Sequence, residues 1–282
     1  MEDPLTADDP VRGGVAAEEE EARPYSQQYL IPPTIRWSTS EQSPVEPELL
    51  VIAEGLAAAI LTECCVQSKQ AVGTIELPQI HPPSGDDLPR KELAAQYATI
   101  YQMASEVGGA PGGAALLVAS TSLVPPERSV AWTRGLLSAV RPTQLAVVSA
   151  MPAAQFRGAG DAAEDVLLYL VSTTAARDSP AASGAELQTL PSGTLILGVA
   201  AAVIQHREVR QEAAVALVGV QMAPVPDQTY LHGLAAGVGK LLRRLAGEQV
   251  SQLWQPDKAA VRQAVIRCDR AYRGSAASLL YT

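Results

Sequence analysis

A chain of 282 residues, 47% hydrophobic and 18% charged, is long enough to bury one large core or two small ones. Only 4% of the residues are aromatic, with a single Phe, so that core has to be built from Ala, Val, Leu and Ile. A formal charge of -9 and a pI near 4.9 argue against nucleic-acid binding driven by charge, and no apolar run is long enough to span a bilayer.

Residues 1–33 read as a disordered acidic tail, with the run Glu18–Glu21 solvated and Tyr25, Tyr29, Leu30 and Ile31 able to pack at its end. The acidic start has the wrong sign for a signal or transit peptide. The three cysteines, Cys64, Cys65 and Cys268, form neither a disulfide framework nor a CxxC zinc pattern. A reducing compartment is expected, the cytoplasm first and the nucleus second.

Beyond the tail, β-like runs alternate with helical segments. TIRWS is a weak strand, and ELLVIAE (48–54) a strong one, apolar between Pro47 and Gly55. GLAAAILTECC (55–65) has helical spacing, and AVGTIEL (71–77) is a strand closed by Pro78. QIHPPSGDDLP is a loop. AQYATIYQM (95–103) and AALLVASTSL (114–123) are strands joined through SEVGGAPGG, and residues 125–140 are a helix opened by Pro and Glu. TQLAVVSAM (143–151) is a strand. DVLLYLVST (165–173) fits a strand or a helix, and residues 173–186 read as an exposed loop. Residues 190–209 are a long helix candidate, EAAVALVGVQM (212–222) a buried strand, and TYLHGLAAGVGKLLRRL (229–245) a helix with three glycines. A last helix is expected from Asp257 to Arg273, stopped by Gly274.

This alternation predicts a single α/β domain over 34–274, with a mixed, largely parallel sheet flanked by helices and an antiparallel part between residues 71 and 151. Residues 275–282 are left as a flexible tail.

No catalytic set emerges. GLAAGVGKLL (233–242) imitates a phosphate-binding loop, but Leu234 stands where its first Gly is required and Leu241 where a Ser or Thr must follow the Lys. Those glycines are better explained by close packing of a helix on the sheet. His81, His206 and His232 share no metal spacing, and no Gly-x-Ser-x-Gly elbow is present. Cys64 and Cys65 read as apolar filler, and Lys240, Arg243 and Arg244 as a solvated helix face. Asp86–Asp87 and Glu164–Asp165 do not pair as an acid and base. No cofactor and no metal is expected.

The ending GSAASLLYT is the most informative stretch. Leu280, Tyr281 and Thr282 place an apolar group, a phenol and an α-carboxylate together, which suits a pocket with apolar walls and a cationic floor. With the acidic EEEEAR, the strand-to-helix run LLVIAEGLAAAIL, the pair YATIYQM and AALLVASTSL, the strand QLAVVSAM, LPSGTLILGVAAAVI and AAVALVGVQ, this ending resembles the proteasome assembly chaperone 1 family. The chain is richer in Ala and Gly than that family. The resemblance implies a protein that is no enzyme, pairs as a heterodimer with a second, chaperone 2-like partner, and sits on the forming α-ring of the proteasome core particle. Leu280 would pack at the rim of a pocket between α-subunits, Tyr281 would insert, and the Thr282 carboxylate would meet a lysine. Two alternatives stay open: an α/β enzyme or nucleotide-binding protein with a ligand at the strand ends near STSL or SAMP, and an unrelated adaptor that shares only the tail.

Overall fold

The computed structural model describes residues 31–38, 44–66, 68–77, 97–103, 115–120, 123–159, 166–178 and 187–280. The loops QIHPPSGDDLP and SEVGGAPGG, the acidic tail up to residue 30, and Tyr281 and Thr282 lie outside them.

Among the described residues nine strands form one sheet: β1 (Thr34–Trp37), β2 (Leu49–Glu54), β3 (Lys69–Glu76), β4 (Tyr97–Met103), β5 (Ala115–Ser120), β6 (Gln144–Pro152), β7 (Leu168–Ser172), β8 (Gln188–Thr189) and β9 (Val215–Gln221). Their spatial order is β1-β3-β4-β5-β2-β6-β9-β7-β8. The centre, β5-β2-β6-β9, is parallel, while β1-β3-β4-β5 and β9-β7 are antiparallel. This is the mixed α/β sheet the alternation predicts: β3-β4-β5 is antiparallel where strands follow one another without helices, and β1 and the β9-β7 pair add antiparallel pairings outside that stretch.

The helices are α1 (Gly55–Cys65), α2 (Ser129–Ala139), a single turn α3 (Thr174–Arg177), α4 (Gly198–Val209), α5 (Gln228–Gln252, broken at Gly247) and α6 (Lys258–Leu280). They cover both faces. Along β2, Leu49, Val51 and Ala53 pack on α1, α5 and α6, while Leu50 and Ile52 pack on the opposite face with Trp132 and Leu136 of α2 and Val199 and Val203 of α4. A strand buried on both faces reads as an unbroken apolar run, which is why ELLVIAE is legible without alternation. Each such Leu or Ile contributes roughly 1.5–3 kcal/mol on burial.

Within the segment that fits a strand or a helix by pattern, Leu168–Ser172 is a strand. Tyr169 enters the core on the α2/α4 side and Leu170 the core on the other, so the segment obeys a period of two against β9. The structure differs from expectation at several points: the stretch 173–186, expected as an exposed loop, opens with α3, where Thr173 and Ala176 are buried. The helix expected from residue 190 starts only at Gly198. Leu195 and Leu197 face outward while Ile196 packs inward, an extended alternation, and Pro191 heads a turn closed by Thr194 N–H donating to the Pro191 carbonyl at 3.2 Å. At the other end, Gly274 does not stop the last helix, which continues to Leu280. A helix-interior Gly costs only about 1 kcal/mol relative to Ala, and the Ala and Leu residues that follow are strong helix formers.

The pseudo phosphate-binding loop is the interior of α5. A Cβ on Gly237 would stand 2.7 Å from Leu168 and 3.3 Å from Leu217, so glycine lets this helix approach the sheet closely.

Candidate functional site

The first site to place is the chain's C-terminal end. Trp254 follows α5; its indole N–H donates to the Ala235 carbonyl at 3.2 Å, and its backbone bridges Val66 at the end of α1. Gln255 N–H then donates to Cys65 O at 2.9 Å. Asp257 caps α6, its carboxylate accepting from the backbone of Ala259 at 2.8 Å and Ala260 at 3.1 Å. Val261, Ala264, Val265 and Cys268 recur at helical spacing and pack on the core beside α1 and α5. The root of α6 is therefore firmly seated. From Cys268 the helix runs another twelve residues to Leu280, a rise of about 18 Å at 1.5 Å per residue. The described helix thus reaches Leu280, the first of the three predicted tail residues.

The second site is the carboxyl end of the parallel strands, where STSL and SAMP point. Here the structure places a residue that sequence reasoning passed over, Glu54. It ends β2 and is only 3% exposed. Val124 N–H donates to its Oε1 at 3.2 Å and the Ser149 hydroxyl to its Oε2 at 3.4 Å. The backbone N–H of Val199, at the start of α4, also donates to it. Gly55 immediately follows at φ 87°, a left-handed conformation that lets the chain turn from β2 straight into α1. Burial pushes the Glu54 carboxyl up to about 7, and its three hydrogen bonds pull the other way.

Glu54 thus ties β2 to β6, to the segment entering α2 and to the N-terminus of α4. Ser149 and Ser120 at the neighbouring strand ends are buried as well. At these strand ends the Glu54 carboxylate is satisfied by one hydroxyl and two backbone N–H groups of the protein itself. The sequence signal was a carboxylate closing an otherwise apolar, doubly buried run just before a turn glycine.

The other candidates disperse. Cys64 and Cys65 are buried, and burial pushes the Cys65 thiol up to about 12, consistent with inert filler. His206 lies on α4, and His232 on α5 contacts Gln228 at 3.2 Å. His81, Asp86, Asp87, Glu164 and Asp165 lie outside the described residues. Among the described residues no three His, Cys, Asp or Glu side chains could together hold a metal, and no helix is long and apolar enough to cross a membrane.

No protein-family model matches the sequence, and no curated protein does. Solved structures do match. The fold is shared with PbaB. That protein, a Pyrococcus furiosus archaeal proteasome activator, superposes with a TM-score of 0.57 at 13% identity over 86% of this chain and 98% of its own. PbaA of the same organism, an archaeal homologue of proteasome-assembly chaperone, superposes in its monoclinic crystal form with a TM-score of 0.52 at 12% identity, covering 88% of this chain and 93% of its own. At such identities the likeness to PbaB and PbaA is one of fold, carried by sheet order and helix placement.

Proposed function

We propose that this chain is a proteasome assembly chaperone. In this reading it is no enzyme; it pairs with a second, related chaperone, and the pair sits in the cytoplasm or nucleus on the outer face of a forming α-ring. Leu280, Tyr281 and Thr282 occupy a pocket between two α-subunits, keep the ring in order and exclude activators until the core particle matures. The observation that carries the reading is the fold shared with PbaB and PbaA, in a chain whose core-anchored last helix runs to Leu280.

The magnitudes fit a shared load. Burying a Leu and a Tyr yields on the order of 1.5–3 kcal/mol each, which little more than offsets the ordering of the residues involved. Docked alone, the three residues bind weakly. Carried on a body that also touches the ring, they act at high effective concentration.

The test is affinity purification of the tagged chain from its own cells beside a copy lacking residues 280–282, with mass spectrometry of what is retained. The reading requires proteasome α-subunits and a second chaperone with the intact chain, and loss of the α-subunits alone from the truncated one. Retention of no proteasome component by either chain overturns it.

A further inference from the structure

On the face covered by α2 and α4, away from Glu54, the two helices leave a groove of about 860 Å³. Four arginines line it, Arg134, Arg141, Arg207 and Arg210, against one carboxylate, Glu212. Glu212 is already taken, paired with the buried Arg207 at 2.7 Å. Arg134, Arg141 and Arg210 are exposed and have no ion-pair partner among the described residues. In a chain of net charge -9 this is a local reversal of sign. His206 registers the field: it is held below its ordinary value by burial first and then by Arg210, with Arg134 adding to the effect. The hydroxyl of Thr133 lies buried in the groove wall with no hydrogen-bond partner.

The chain also enters the structure beside this groove. Pro32 and Pro33 lie against Gly135 of α2, where a Cβ would stand 2.5 Å from Pro33, and the Arg128 guanidinium donates to the Ile31 carbonyl at 3.2 Å. Gly135 sits next to Arg134 in sequence, so the segment preceding Ile31 begins alongside the basic helix. Residues 1–30 hold eight carboxylates and two arginines, with four glutamates in succession at Glu18–Glu21. From Ile31 back to Glu18 is thirteen residues, a reach of up to about 43 Å. The eleven residues of α2 extend only about 16 Å.

We infer that the acidic run Glu18–Glu21 folds back into the α2/α4 groove and neutralises Arg134, Arg141 and Arg210. The occupant is a segment of this same chain, selected by charge and by its tether to the edge of the groove. A tether this short holds the run at an effective concentration of about 1 mM, enough to fill a site of only modest intrinsic affinity and to screen it from acidic segments of other proteins. The contact is electrostatic and partly exposed, so it weakens with salt.

The experiment uses the full chain, a full chain carrying Glu18→Gln, Glu19→Gln, Glu20→Gln and Glu21→Gln together, and a synthetic peptide spanning residues 14–27 as probe, titrated at low and at high salt. The glutamine variant should bind the peptide about tenfold more tightly than the parent chain, whose own run competes. Adding Arg134→Glu and Arg210→Glu to the glutamine variant should abolish that binding. Equal affinity of parent and glutamine variant overturns the inference, as does undiminished binding after the arginine reversals. A competition that grows with the concentration of the parent chain would place the run on a second copy, which also overturns it.

Discussion

Across the two central strands, the Ser149 hydroxyl donates to the Glu54 carboxylate at 3.4 Å, and Val124 N–H donates to the same carboxylate at 3.2 Å. Burial raises the Glu54 carboxyl from 4.5 to about 7 despite these bonds. Between those two values the folded chain holds a proton that the unfolded chain has released, so stability is highest below the lower value and falls as pH rises to the upper one. The loss amounts to roughly 3 kcal/mol. Glu54→Gln keeps the shape and removes the charge. It should flatten the pH dependence and make the chain more stable than the parent at pH 8, which urea unfolding at pH 5 and pH 8 will show.

The strands and helices at the centre of the sheet are readable in the sequence because burial on two faces writes long apolar runs, as in β2 and β9. What was not readable depends on neighbours distant in sequence. Tyr169 and Leu170 become strand residues through pairing with β9, and local pattern alone fits a helix as well. Glu54 acquires its donors from residues 70 and 95 positions away, so the apolar run it closes marks the carboxylate but not the groups that hold it. The groove at Arg134 and Arg210 likewise exists only once α2 and α4 lie side by side. Leu280, by contrast, was marked in the sequence, and the structure adds the helix that carries it.

The Tyr230 hydroxyl is buried against Gly219 of β9 with no hydrogen-bond partner, and burial drives its pKa upward. An unsatisfied buried hydroxyl costs about 1–3 kcal/mol. Tyr230→Phe should therefore raise stability by about 1 kcal/mol in urea unfolding. Gly219→Ala should lower it, because the new methyl would occupy the space of the Tyr230 hydroxyl.

Arg207 joins the end of α4 to the segments leading into β6 and β9. Its guanidinium pairs with Glu212 at 2.7 Å and donates to the carbonyls of Pro142 and Ala213, each at 3.2 Å. Arg207→Met should destabilise the chain by about 3 kcal/mol, since it leaves the carbonyls and the carboxylate without their donor. Thermal unfolding checks this, and Arg141→Met at the exposed rim should change stability by no more than about 0.5 kcal/mol.

The central claim concerns Tyr281, and the most direct measurement is the affinity of the purified chain for assembled proteasome α-subunit rings, compared with that of Tyr281→Ala. Loss of a buried Tyr side chain, about 1.5–3 kcal/mol, predicts a Kd weaker by roughly 10- to 100-fold with the unfolding midpoint unchanged. Equal affinity of the two chains, or no binding by either, would contradict the account.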